Sequence, residues 1–152
     1  MFLNSTTSSL ILNNRISSNN QSGVLCQSSW ETPISQNIIS SNTITNNGEI
    51  GIHLLSSRSS TLTNNIVNNN NKEGISLTSS EGNTLTNNTI TNNSWYGIAF
   101  SSSSYDNSVQ NNNFSEIFLV EFLKLLTMVP TIRLNLISGM TGTTRTPMRM
   151  VL

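Results

Sequence analysis

Apolar residues occur in this chain mostly as single positions between polar ones, in short segments that recur along the sequence. Three such segments, GIHL, GISL and GIAF, begin at Gly51, Gly74 and Gly97, so that successive glycines are 23 residues apart. A fourth segment, GVLC, begins at Gly23, 28 residues before Gly51, and the five additional residues fall around Pro33, which indicates an inserted loop. A fixed period of this length predicts a repeat architecture in which each repeat packs on the next.

Upstream of each glycine, three further columns repeat in the same way. The positions twelve and seven residues before the glycine are apolar and contain Ile11, Ile39, Leu62 and Leu85, and Ile16, Ile44, Val67 and Ile90. The position nine residues before it is asparagine and contains Asn14, Asn42, Asn65 and Asn88, with Asn112 in a shortened last repeat. Apolar residues that alternate with polar ones predict short strands, and the glycines and asparagines predict turns between them.

These columns predict an all-β fold, a parallel β-helix of four to five coils in which equivalent residues lie about 4.8 Å apart. The asparagine column is then a ladder, because each side-chain amide has a donor and an acceptor end that can pair with neighbouring coils. Cys26 falls in an apolar column with Leu54, Leu77 and Phe100, which predicts a small core residue and not a ligand or nucleophile.

The composition removes several classes of function. Only 9% of the 152 residues are charged and the formal net charge is zero, so the sequence carries no electrostatic footprint for nucleic acid or an anionic membrane surface. The longest apolar run, residues 117–120, is too short for a membrane span. The single cysteine leaves the redox compartment undetermined, and no cofactor is predicted.

The two ends of the chain leave alternatives open. The opening segment lacks the features of a secretory signal, so we expect a fragment of a longer protein or a cytoplasmic one, with an extracellular, cell-surface or periplasmic location if the longer protein is exported. We divide the chain into repeats over residues 1–115 and a divergent tail over 116–152. The tail is either a cap, with a short helix over 117–128, or an irregular out-of-frame segment, and open coil ends predict a homo-oligomer or pairing with a parent chain.

The repeats, and above all NTLTNNTITNNSWYGIAFSSSS, resemble the right-handed parallel β-helix repeat family, the pectin-lyase-like superfamily. Within it they are similar to the NosD-type periplasmic copper-protein repeats of archaeal surface proteins, and the resemblance covers roughly residues 9–114. It implies a right-handed solenoid, on which polysaccharide lyases, hydrolases, isomerases, adhesins and surface-layer modules are built. Fold does not imply activity, so the resemblance leaves the function open among these.

Candidate chemistry is sparse. Copper would need a cluster of His, Met or Cys ligands, but His53 is alone, and no metal site is predicted. His53 is predicted to point outward into solvent, since it lies between two core positions. The remaining sulfur ligands lie outside the repeats, at Met128, Met140, Met148 and Met150. The acidic residues of the repeats are scattered and predict no catalytic group: Glu31, Glu49, Glu73, Glu81 and Asp106.

Trp95 and Tyr96 are the candidate ligand-binding residues, because adjacent aromatic rings on the turn before Gly97 can stack on a sugar ring. The alternative is that they cover the side of the stack, with Lys72, one repeat earlier, packed on the indole. Oppositely charged residues also share columns, Glu49 with Lys72 and Arg58 with Glu81, which predicts exposed ion pairs worth about 1 kcal/mol or less.

Two classes of function follow from these observations. The leading one is a structural or interaction module of a cell-surface or exported protein that presents a polar flank to a polysaccharide, a surface glycan or a protein partner. The alternative is an enzyme fragment with lyase or hydrolase chemistry on acidic polysaccharide, or a NosD-like copper-delivery protein, and each of these two rests on the resemblance alone. Two or three carboxylates converging on one face would favour the enzyme, whereas Asn, Ser and Thr there would favour the module.

Overall fold

The computed structural model describes residues 1–28, 34–101, 103–114, 117–119 and 133–135. These residues form a parallel β-helix of about five turns, as the repeat predicts. Three sheets run along the stack, and we number the strands in chain order. Among the described residues there is no α-helix, and no helix long and apolar enough to cross a membrane.

Each sheet takes one short strand from each coil, and every strand pairs in parallel with its neighbours. Sheet A contains β1 (Phe2–Asn4), β4 (Val24–Gln27), β8 (Ile52–Leu55), β12 (Ile75–Thr78), β15 (Ile98–Phe100) and β18 (Ile117–Leu119). Sheet B contains β2 (Leu10–Leu12), β6 (Ile38–Ser40), β10 (Thr61–Thr63), β13 (Thr84–Thr86), β16 (Ser108–Gln110) and β19 (Arg133–Asn135). Sheet C contains β3 (Arg15–Ser17), β7 (Thr43–Thr45), β11 (Ile66–Asn68), β14 (Thr89–Thr91) and β17 (Asn113–Phe114). A short fourth ladder pairs β5 (Ile34–Ser35) with β9 (Ser57–Arg58).

The register follows the sequence period. In sheet A, Ile75 pairs with Ile52 on one side and with Ile98 on the other, which places residues 23 positions apart next to each other. The step from β4 to β8 spans the longer repeat, yet Val24 still pairs with Ile52. The inserted residues therefore leave the register of the stack unchanged, and the predicted loop around Pro33 lies outside the described residues.

The core consists of the predicted apolar columns. The side chains at these positions face inward and are buried, and they form one continuous hydrophobic cluster. Its members are Ile11, Val24, Cys26, Ile39, Ile44, Ile52, Leu54, Leu62, Val67, Ile75, Leu77, Leu85, Ile90, Ile98, Phe100 and Val109. Ile16 and Phe114, which continue the columns at the two ends, are partly buried. Burial of this kind contributes about 25 cal/mol per Å² of apolar surface, so the columns are the main source of stability.

The asparagine ladder is present and connects each coil to both of its neighbours. The Nδ2 of Asn42 donates to the Oδ1 of Asn65 at 3.1 Å, and the Nδ2 of Asn65 donates to the Oδ1 of Asn88 at 2.9 Å. Each Oδ1 also accepts the backbone N–H of the preceding coil, and each Nδ2 reaches a carbonyl oxygen on the other side, as from Asn65 to Ile39 at 2.8 Å. The amide groups are therefore fully used in a site without water access.

Two further ladders follow the same scheme and were not predicted. One contains only asparagines, at Asn19, Asn47, Asn70 and Asn93. The other contains both serine and asparagine, at Ser9, Asn37, Ser60, Asn83 and Asn107. All three stand at corners where the chain leaves one strand and enters the next.

A residue with a left-handed backbone comes directly before each ladder residue. Asn64, with a φ of 55°, precedes Asn65, and Asn69, with a φ of 54°, precedes Asn70. Asparagine tolerates this conformation better than most residues, because its short polar side chain can hydrogen-bond locally. The recurrent Asn-Asn pair thus has two roles, in which the first residue bends the backbone and the second secures the bend to the next coil.

The repeat glycines are required by close approach of the chain. A Cβ atom on Gly51 would lie 2.3 Å from Cγ1 of Val67 and 2.6 Å from the carbonyl oxygen of Gly74, and a Cβ on Gly74 would lie 2.3 Å from Cγ2 of Ile90. Gly23 is equally crowded. We predicted these glycines as turn residues, and the structure gives a further reason for them, since contacts this short leave no room for a side chain.

The tail is described at two strands. Residues 117–119 pair with β15 and continue the stack of sheet A, so this segment is a strand and not the start of the helical cap that we considered for residues 117–128. The physical reason is that Ile117 and Leu119 alternate as strand residues do, and pair with Ile98 and Phe100. The rest of residues 120–152, apart from β19, lies outside the described residues, and the division at residue 115 stays a prediction.

We expect Ile75→Asp to destabilise the protein by at least about 4 kcal/mol, because the carboxylate would be buried in the middle of an apolar column. The measurement is a thermal melt followed by far-UV circular dichroism. Ile66→Asp is the matched control, since Ile66 is 45% exposed on the outer face of sheet C, and it should melt close to the parent. Equal melting temperatures for both variants would contradict the column assignment.

We expect Asn65→Ala to cost about 2–4 kcal/mol, because it leaves the buried backbone N–H of Asn42 without its acceptor and removes the donor to the carbonyl oxygen of Ile39. Asn64→Gly, one residue earlier at the exposed left-handed position, should change the free energy of unfolding by less than about 1 kcal/mol. Urea unfolding of both variants measures the difference. A similar loss of unfolding free energy in both variants would show that the hydrogen bonds of the ladder contribute little to stability.

Candidate functional site

The outer face of sheet A has small side chains in its middle coils. Leu25, His53, Ser76 and Ala99 pair in register and alternate with the core residues of the same strands, so their side chains lie on the outer side. Ser76 and Ala99 are only 9% and 6% exposed, although they belong to the outer surface. Neighbouring side chains therefore cover these two small residues. We call these four residues the floor.

A row of larger residues borders the floor on the turn that precedes each repeat glycine. Glu49, Lys72 and Trp95 occupy equivalent positions in three successive coils, and we call them the rim. Backbone hydrogen bonds stack these turns, from the N–H of Lys72 to the carbonyl of Glu49 and from the N–H of Trp95 to the carbonyl of Lys72, both at 3.3 Å. The rim side chains are therefore held one coil apart along the stack.

Lys72 connects the other two rim residues. Its Nζ lies 3.0 Å from Oε1 of Glu49, which confirms the predicted ion pair, and 6.0 Å from the centroid of the Trp95 ring. The packing of Lys72 on the indole is therefore present, at the outer limit of a cation–π contact. Trp95 as a residue nevertheless remains 57% exposed, so the contact with Lys72 leaves much of its surface open to solvent.

Tyr96 is placed differently from its neighbour. It is half-buried, and its carbonyl oxygen accepts the N–H of Gly74 at 2.8 Å, so that this residue helps to hold two coils together. Of the two aromatic residues predicted as ligand contacts, Trp95 presents the larger accessible ring. Whether either residue contacts a ligand stays a prediction.

His53 lies within the floor and points outward, as predicted, and it is half-buried there. Its Nε2 lies 3.2 Å from Oγ1 of Thr78 in the next coil. Burial lowers the pKa of His53, Lys72 lowers it further, and Glu49 opposes the shift. The imidazole is therefore neutral at pH 7, with one nitrogen able to donate and the other able to accept a hydrogen bond.

No metal centre is formed by the residues that the structure describes, where no group of three or more His, Cys, Asp and Glu side chains comes together. Cys26 is fully buried, and burial raises the pKa of its thiol to about 12, so it remains a protonated core residue as predicted. The methionines at positions 128, 140, 148 and 150 lie outside the described residues.

A second charged group lies away from sheet A, beside β9. Arg58 Nε is 3.4 Å from Oε2 of Glu81, which confirms the other predicted ion pair. A hydrogen bond to Glu81 raises the pKa of the half-buried Tyr105, and the negative charge of Glu81 adds to the shift. Both members of the ion pair are well exposed, so this group contributes little to stability.

Sequence reasoning found the rim residues but missed the floor. The signal was present, since the second residues after Gly51, Gly74 and Gly97 are His53, Ser76 and Ala99, a column that becomes smaller along the stack. The sequence did not indicate how strongly Ser76 and Ala99 are buried, because their burial depends on the side chains of neighbouring coils.

The lowered pKa of His53 predicts a pH dependence of stability. The unfolded chain binds a proton near the ordinary value of 6.5 while the folded chain does not, so the melting temperature should fall as the pH decreases from 7.5 through 6.5. Melting curves at a series of pH values measure this, and His53→Gln should flatten the dependence in that range. An unchanged dependence in the variant would show that another group is responsible.

Comparison with known proteins agrees with this fold. The crystal structure of the periplasmic alginate epimerase AlgG superposes with a TM-score of 0.64 at 22% sequence identity, over 77% of this chain and 32% of that protein. The chain thus spans about a third of the length of AlgG, and a likeness at this identity concerns the fold. Curated protein sequences contain no match. The family model "Right handed beta helix region" matches residues 1–121, and the chain therefore belongs to the right-handed β-helix family.

Proposed function

We propose that this chain is a carbohydrate-binding β-helix module of an exported or cell-surface protein, and that it holds a glycan along the outer face of sheet A. The observation that carries this proposal is the exposure of Trp95, a residue that is 57% accessible on the rim beside the floor. An accessible indole is the surface that a sugar ring requires, because its C–H face packs on the aromatic face.

The other two rim residues support the indole of Trp95. Lys72 lies on one side of the indole and is itself held by Glu49, so the ring orientation is supported by two neighbouring coils. A ring with restricted motion binds with a smaller loss of side-chain entropy than a freely rotating one. The accessible part of the ring remains for a ligand.

The floor supplies the polar contacts that a sugar needs. Ser76 offers a hydroxyl group, and His53 and Thr78 form a hydrogen-bonded pair across two coils. Neutral donors and acceptors of this kind match the hydroxyl groups of a glycan. Because equivalent residues repeat along the stack at about 4.8 Å, the face suits an extended chain that crosses several coils.

The exported location belongs to the same proposal. AlgG is named as a periplasmic enzyme that acts on alginate, and it shares the β-helix fold with this chain. The low charge and the abundance of Asn, Ser and Thr on the outer positions suit a surface that contacts polysaccharide.

A carbohydrate-active enzyme is the second candidate, and the observation in its favour is His53. A half-buried imidazole with a lowered pKa is neutral at pH 7 and can accept a proton from a bound substrate. Under this alternative, His53→Gln would abolish turnover of a polysaccharide while leaving its binding nearly intact. Copper delivery stays a prediction from resemblance, to be tested by copper uptake of the parent and of His53→Ala.

We expect Trp95→Ala to weaken glycan binding about tenfold or more without lowering the melting temperature, because the ring is exposed and its stacking area is lost. Affinity electrophoresis in gels that contain a series of soluble polysaccharides measures the binding. Trp95→Phe should retain part of the retardation, since a smaller aromatic face remains.

Ile66→Ala is the matched control, because Ile66 is an exposed apolar residue on the outer face of a different sheet. It should leave the migration in every gel unchanged. Equal retardation of the parent and of Trp95→Ala in all gels would refute the proposed site.

A further inference from the structure

We infer that the glycan held by this face is neutral, without uronate, sulfate or other anionic groups. The inference rests on the proposed function and specifies its ligand class. It is carried by the charges on the rim turns around Trp95. The ammonium group of Lys72 is already paired with Glu49 there, and the charges of these turns add up to a negative value.

The charged residues on the rim turns are Glu49, Lys72 and Glu73. Glu49 and Lys72 lie 3.0 Å apart, and Glu73 follows Lys72 directly in the chain. The sum of these charges is −1, and His53 adds none at pH 7 because its pKa is lowered. An anionic sugar placed on Trp95 would therefore meet an ammonium group that is already paired, on turns whose summed charge is negative.

The other cationic side chains within the described part of the chain lie elsewhere. Arg15 is on the outer side of sheet C, where it pairs with Thr43, and Arg58 of β9 is bound to Glu81. Arg133 is in sheet B, where it pairs with Ser108. None of these three belongs to sheet A, and the N-terminal ammonium group at its first strand is already hydrogen-bonded to the carbonyl oxygen of Gly23. A polyuronate carries a negative charge on each sugar, so its binding to sheet A would require an excess of positive charge that these residues do not provide.

A neutral glycan gains from the same arrangement. Carboxylates accept hydrogen bonds from sugar hydroxyls, and such charge-assisted bonds are stronger than those between neutral groups. Glu49 is available for this role, because 42% of its side chain remains exposed beside Lys72. The rim can thus bind hydroxyl groups on either side of the stacked ring without a charged partner in the ligand.

The test compares neutral and anionic polysaccharides with the intact chain. Affinity electrophoresis in gels containing hydroxyethyl cellulose, a soluble mannan, alginate or polygalacturonate is run at low ionic strength. We expect retardation by at least one neutral polymer, abolished in Trp95→Ala, and no retardation by either polyuronate. Salt added to about 0.5 M, on the order of fifty times the salt concentration of the buffer, should leave binding of the neutral polymer unchanged, because salt screens only interactions between charges.

Glu49→Gln gives a second and independent measurement. It releases Lys72 from its partner and removes one negative charge, so that the sum of charges on the rim changes from −1 to 0. We expect retardation by alginate, absent in the parent, to appear in this variant at low salt and to be lost again on addition of salt. Glu81→Gln is the matched control, because it breaks the other exposed ion pair away from sheet A, and it should not change the migration in any gel.

The outcomes separate this inference from the proposed function. Parent binding to alginate that exceeds binding to both neutral polymers and is lost in Trp95→Ala would overturn the neutral ligand and keep the site. Migration that is independent of Trp95 in all four gels would overturn the proposed function itself. If Glu49→Gln migrates through the alginate gel as the parent does, the charge argument is contradicted. The inference is supported if a neutral polymer binds the parent but not Trp95→Ala and if alginate retards Glu49→Gln.

Discussion

The stacking of identical polar groups at the corners is the interaction on which this fold depends. An asparagine amide in each coil accepts from the coil before it and donates to the coil after it, as Asn65 does between Asn42 and Asn88. A displaced coil would leave these buried amides unpaired, at a cost comparable to the loss of several hydrogen bonds. A slip of two residues would also turn polar residues inward, since Ser60 or Asn64 would take the place of Leu62, so the amides and the apolar columns specify the register together.

The register in turn determines the outer surface. Glu49, Lys72 and Trp95 come together because each stands at the same place in its coil, and not because a local motif joins them. Their spacing along the stack is that of the backbone hydrogen bonds between the turns. A site on such a scaffold is positioned by elements that are themselves rigid, which favours binding with little rearrangement.

The fold could be predicted from the sequence because each column repeats. The positions of Ile52, Ile75 and Ile98 carry the same physical information three times, and their agreement excludes helices. The second asparagine ladder was equally visible, since Asn47, Asn70 and Asn93 each stand four residues before a repeat glycine. The ladder that contains Ser60 was less visible, because it contains both serine and asparagine. The environment of His53 could not be predicted, because its burial and its contact with Thr78 arise between coils.

The constant direction of the amide ladder has an evolutionary consequence. Every coil offers the same donors to one side and the same acceptors to the other, so duplication or deletion of one complete 23-residue unit joins matching ends. A gene of this kind can change in length by whole units without losing a buried hydrogen bond. The outer residues of a duplicated unit are then free to diverge, and a new binding surface can arise beside an existing one while the interior stays the same.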